Sequence, residues 1–270
     1  MKNTVTSSSD MPASMPASYG PPMRRDSYRF ALLCGSTLLN FVALGILLAV
    51  LPQFLRDELH TTRAVVGLSV GSYSFSAVLA RPWLGRKLDM LGRRWFLFGA
   101  PIGLGLTSLV LLTVHSVLAI VVLRLIQGVV GSTFYTAAAT VATDLAPLER
   151  RGEYISRFSL FLYGGFAIGP SVATAVIARG GFAWTWTVGI ACVVVSSAIA
   201  FALPETQPAN EAEAPIPRFR LVHPAAVGPG MVLITAAVGY TAISVFAPLY
   251  AERIGMSSSG PLYLAFALTV

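Results

Sequence analysis

Long apolar runs alternate with short polar connections along this chain, and the runs are too long for strands. The first, residues 30–54, carries no charge. At 1.5 Å per residue, a helix of that length crosses a hydrocarbon layer of about 30 Å. Further runs follow at 64–84, 95–114, 117–141, 158–178 and 182–203. In hydrocarbon every backbone N–H and C=O needs a partner within the protein. Uniformly apolar runs therefore predict spanning helices and not barrel strands, whose side chains alternate in polarity. A seventh span is expected at 225–250. An eighth starts near Pro261 and has only about ten residues before Val270, too few to cross a bilayer. The pattern thus predicts an all-α membrane protein that is C-terminally truncated: six helices in 29–203, then one to two more in 225–270.

The polar segments divide the chain further. Residues 1–28 are rich in Ser, Pro and Met, with Met-Pro-Ala-Ser repeated from Met11 and Met15. Such a segment has too little apolar surface to fold and is expected to be a disordered tail. The first apolar run is longer than the apolar core of a signal peptide, and more runs follow it, so it is expected to be retained. Residues 204–224 hold five prolines, three glutamates, two arginines and a histidine, and read as a linker.

Composition agrees with lipid as the solvent. Of 270 residues, 55% are hydrophobic and 11% charged, against about a quarter charged in soluble domains. The net charge of +7 would suggest nucleic acid in a soluble protein. Here the basic residues cluster between the runs, where they act as orientation signals and lipid-headgroup contacts. Thirteen Lys and Arg fall in the tail, the connections after the second and fourth runs, and the linker, while Arg56, Arg63, Arg179 and Arg253 fall on the other side. The positive-inside rule places the N-terminus and linker in the cytoplasm of a multi-pass inner-membrane protein. Arg81 and Arg124 lie within spans. Cys34 and Cys192 both lie in apolar runs and read as packing residues; no metal or cofactor signal stands out.

Three motifs carry chemistry. Between the second and third runs stands Gly85-Arg-Lys-Leu-Asp89-Met-Leu-Gly92-Arg93-Arg94. Glycines there allow close backbone approach, and Asp89 suits a helix N-terminus or an arginine partner. In the fourth run, Arg124, Gln127, Gly131 and Tyr135 recur at helical spacing and share a face. A charge that deep costs several kcal/mol unless it meets water or a partner; the alternative is an arginine snorkelling to the outer headgroups. In the fifth run, Gly165, Gly169 and Pro170 strip a helix face for close approach and remove a backbone hydrogen bond. Ser69, Ser72 and Ser76 share a face of the second run and read as small packing residues.

Together these motifs resemble those of the major facilitator superfamily, and within it the drug- and sugar-efflux antiporters. The 85–94 segment is similar to the family's signature loop, with Met90 where Arg or Lys is usual. Arg124-Leu-Ile-Gln127-Gly128 resembles its fourth-helix pattern, and the Gly165–Pro170 segment resembles its antiporter motif. Glu149-Arg150-Arg151-Gly152 and Pro204-Glu205-Thr206 add smaller agreements. The resemblance covers 30–270.

It implies two six-helix bundles rocking about a central cavity, and so a secondary active transporter that exports a drug-like or sugar-like solute against protons. Asn40, Arg124, Gln127, Tyr135, Tyr240 and Ser244 are then expected in the cavity wall. Gly85, Asp89, Gly92, Arg93 and Arg94 are expected at a cytoplasmic gate that stabilises the outward-open state, and Gly165, Gly169 and Pro170 in helix packing. No Asp or Glu lies deep in a span, so no proton site is visible. The partners implied are a small molecule, protons and lipids, without nucleic acid, and the full-length protein would be a monomer. A non-transporting receptor or assembly protein on the same bundle and an inactive truncated product are the competing readings. No paired carboxylates or activated nucleophile suggest an enzyme.

Overall fold

The computed structural model describes residues 23–206, together with 227, 228, 230–232, 234, 235 and 253–255. Helix α1 spans Met23–Asp57, α2 Arg63–Leu91, α3 Arg94–Leu111 and α4 Val117–Asp144. A 3₁₀ turn, Leu148–Arg150, leads into a helical run over Arg151–Phe201. As one straight rod those 51 residues would measure roughly 75 Å, far more than a bilayer core. The run is two helices. Gly181 breaks it with φ 71° and ψ −167°, a conformation open to glycine alone. We number the halves α5 (151–180) and α6 (182–201). Each apolar run of the sequence up to the linker is thereby a helix long enough to span, and no strand occurs among the described residues.

Two boundaries differ from the sequence expectation. The N-terminal segment was expected to stay unfolded to residue 28, but α1 already begins at Met23. Asp26 stands in its first turn and pairs with Arg29 at 3.2 Å, a favourable place for an acid at a helix N-terminus. The 85–94 motif is mostly helix, not loop. Gly85 lies inside α2, and a methyl group added there would meet nothing within 4 Å among the described residues, so none of the described helices approaches it closely. The turn is confined to Gly92 and Arg93, with Gly92 at φ 84°.

The chain divides into two units, Met1–Ala214 and Pro215–Val270. The second is described at few positions. Helical residues occur between 227 and 235, with Thr235 Oγ1 donating to the Met231 carbonyl at 3.0 Å. The expected linker beyond Thr206, most of the seventh span and the eighth lie outside the described residues.

Within the first unit α1 is the most buried span, and it packs chiefly on α5 and α6. Small residues bring the backbones together. A methyl group at Gly169 would stand 2.6 Å from both the Gly45 Cα and the Val42 carbonyl, and one at Gly165 2.7 Å from the Phe41 Cβ. Higher on α1, Ser36 and Ser196 exchange hydroxyl-to-carbonyl hydrogen bonds of 2.9 and 2.8 Å. Because lipid tails supply no hydrophobic drive between helices, such close contacts and buried hydrogen bonds hold the pair. Helix α2 packs on α4, and α3 lies against α4 and the α5–α6 pair. Ser197 Oγ donates to the Phe98 carbonyl at 2.7 Å, joining α6 to α3. Cys34 is buried, Cys192 half-buried, and both are free thiols.

Candidate functional site

The small-residue face of α2 sets the geometry around Arg124. Ser69, Ser72 and Ser76 are all buried, and Tyr73 stands among them. Its carbonyl and hydroxyl occupy the spaces where Gly128 and Gly131 of α4 lack side chains. The two helices therefore come close enough for Arg124 to reach across. Its Nε donates to the Ser69 carbonyl at 3.3 Å, and its guanidinium lies 4.7 Å from the centre of the Tyr73 ring. A second nitrogen, Nη1, donates to Gln127 Oε1 at 3.0 Å, and Gln127 Nε2 donates to Ser108 Oγ of α3 at 3.3 Å. Arg124 thus ties α2, α3 and α4 together and does not snorkel outward; it is 3% exposed. Among the described residues its partners are all neutral.

Nearer the end that carries the 85–94 segment lies a second arginine, Arg81. Its guanidinium carbon sits 5.4 Å from the centre of the Tyr135 ring. Tyr135 meets Phe41 of α1 edge-on at 6.5 Å, and Phe41 in turn packs on Phe166 of α5 at 4.9 Å. The Arg81–Tyr135 pair thus stands where α1, α2, α4 and α5 converge. Tyr135 remains 36% exposed and Arg81 is also exposed.

Four of the six residues expected in the cavity wall are described, and they divide. Arg124 and Gln127 are buried in the three-helix network, while Asn40 is buried on α1 at 1% exposure with both amide atoms unpartnered. Only Tyr135 reaches the surface. Tyr240 and Ser244 lie outside the described residues. Composition points to the Arg124 network through its spacing on one helix. It does not point to Tyr73 or to the Arg81–Tyr135 stack. The available signals were an arginine inside a span and a tyrosine facing glycines three residues apart.

At the basic end the motif residues gather around two carboxylates. Arg93 is buried, and its Nε lies 3.2 Å from Asp144 Oδ2 at the end of α4. Glu205 accepts from the backbone N–H groups of Arg93 and Arg94, at 2.9 and 3.0 Å, and so caps α3. Arg94 donates to the Phe201 carbonyl at 3.1 Å and stacks on the rings of Trp95 and Phe201. Asp89 is exposed on the last turn of α2. No cluster of metal-ligating side chains occurs among the described residues.

The sequence model described as Major Facilitator Superfamily matches residues 33–270. Among curated proteins, an uncharacterized MFS-type transporter of Salmonella typhimurium is 27% identical over 246 residues, covering 88% of this chain and 61% of the relative. The staphylopine export protein of Staphylococcus aureus is 26% identical, with 87% and 61% covered. The class E tetracycline resistance protein of Escherichia coli is 31% identical, with 54% and 34% covered. The chain thus spans at most about three fifths of the length of these relatives. Among solved structures, the human organic anion transporter MFSD10 is similar in fold, with a TM-score of 0.59, 20% identity, and 75% of this chain and 52% of that one covered.

Proposed function

The chain belongs to the major facilitator superfamily, and from that premise we propose that it serves in secondary active transport of a small molecule by alternating access. Its spans make it a multi-pass membrane protein. The observation that carries the transport reading is the buried Arg124 network. A guanidinium held among α2, α3 and α4 with neutral partners costs stability, and a bundle that served only as an anchor would be more stable without it. Arg124 and Gln127 hold α2 against α4 behind the wall, and Tyr135 supplies a direct contact surface. Asn40 brings unmade hydrogen bonds that a polar solute or water can satisfy once the helices shift. Efflux of a drug-like or sugar-like solute driven by protons is the direction this reading favours. Two of the relatives above bear the names of an exporter and a drug-resistance protein.

By the positive-inside rule this reading takes the basic end as cytoplasmic. There the Arg93–Asp144 pair and the Glu205 cap form the fixed side of a gate, with Asp89 exposed for contact with the moving side. The test is flux in proteoliposomes with a panel of solutes, with and without a pH gradient. Arg124→Ala is expected to lower flux at least about tenfold, the loss of roughly one charge-assisted hydrogen bond. Unchanged flux in a folded Arg124→Ala protein would remove the reading.

A further inference from the structure

We infer that Arg81 recognises an anion: its guanidinium, laid on the exposed ring of Tyr135, receives the carboxylate of an amphipathic organic anion whose apolar body lies against that ring. This rests on the transport reading and names the substrate class it takes.

Depth comes first. Arg81 stands ten residues before the end of α2 at Leu91, and Tyr135 nine before the end of α4 at Asp144. Both are therefore about 15 Å along their helices from the basic end, near the middle of a hydrocarbon layer of about 30 Å. The pair also faces inward, because Tyr135 is bracketed by Phe41 of α1 on one side and Arg81 of α2 on the other.

Charge comes second. The described spans hold two arginines in their interiors, and their carboxylates stand only at or near helix ends. Arg124 is closed off, with a carbonyl, an amide oxygen and a ring around it. Arg81 is open. Its guanidinium rests on the Tyr135 ring, and it makes no ion pair among the described residues. The nearest acid on its own helix, Asp89, is eight residues on, about 12 Å along the axis. An unpaired cation at that depth calls for a counter-charge. Stacking leaves the guanidinium edge and its fork of N–H donors available to a carboxylate. The ring beneath it offers a flat face for an apolar or aromatic body.

The test compares two probes of one shape, radiolabelled benzoate and neutral benzamide, by equilibrium dialysis against the purified detergent-solubilised protein. The wild type is expected to bind benzoate at least about tenfold more tightly, the scale of one charge-assisted pair. Arg81→Gln should abolish that preference and leave benzamide binding within about twofold, and Arg81→Lys should keep part of it, since an ammonium matches the charge but not the fork. Arg81→Met is read in the same way as Arg81→Gln if the latter is recovered unfolded. A wild type without preference, or a neutral variant that keeps the preference, overturns the inference. Flux in proteoliposomes separates the two readings. Benzoate preference without flux of any solute removes transport and upholds the anion site, whereas flux with no benzoate preference removes the anion site and upholds transport.

Discussion

The positions that tolerate least are those where a single atom is missing. Gly169 of α5 faces Gly45 and Val42 of α1 so closely that a methyl group has no space. Gly169→Ala is therefore expected to destabilise the bundle by about 1–3 kcal/mol through overpacking. Gly67 of α2 has nothing within 4 Å of the same methyl position among the described residues, and Gly67→Ala should change little or stabilise slightly through helix propensity. Thermal unfolding in detergent, followed by circular dichroism, compares the two. Equal midpoints would mean that α1 and α5 are not packed as described. The glycine face of α5 was suggested in sequence by Gly165, Gly169 and Pro170 together, but spacing alone did not decide it, since Gly67 and Gly71 of α2 are also four apart and meet nothing within 4 Å among the described residues. The role of Gly131 was not legible, because the Tyr73 hydroxyl that fills its place comes from another helix.

At the scale of elements, the start of α3 illustrates how much depends on a distant side chain. The first N–H groups of a helix have no partner within it. Here no capping side chain precedes α3, and the residue in the capping position is Arg93 itself. The acceptor is Glu205, 112 residues on. Removing it with Glu205→Ala leaves two donors without that partner and is expected to cost about 0.5–2 kcal/mol. Glu205→Gln, which keeps one acceptor oxygen, should cost less. Urea or detergent titration of both variants measures the difference, and identical losses would show that the cap is not what Glu205 supplies. The number and approximate place of the helices could be read from the apolar runs. Their ends could not, because α2 continues through Leu91 on backbone hydrogen bonds that composition does not report, and because only a φ of 84° at Gly92 stops it.

Across the whole molecule, the arrangement commits to a sidedness. Of the sixteen Lys and Arg that precede Ala214, eleven fall in the tail and the connections after the second and fourth spans, against three on the other side; the 85–94 segment and the 150–157 segment share one end of the bundle. In a protein whose two native cysteines are replaced by Ser, Asp89→Cys is expected to resist a membrane-impermeant maleimide in intact cells and to react once the cells are opened. Labelling of intact cells would reverse the orientation. The family was legible from three motifs, and the match over residues 33–270 agrees with it. The site was legible only in part. Spacing on one helix brought Arg124 and Gln127 together, but the partner of Tyr135 is Arg81 on α2, and no one-dimensional period connects them.

The Glu205 cap has a consequence for protein engineering. Because Glu205 is fixed to α3, and Thr206 Oγ1 donates to Asp144 at 3.1 Å, the anchored chain extends at least to Thr206 and not only to the last residue of α6, Phe201. Tags, protease sites or split points placed just after Thr206 should leave the six helices intact. A single residue inserted between Leu203 and Glu205 would swing the carboxylate off its seat and loosen a helix that begins more than a hundred residues upstream.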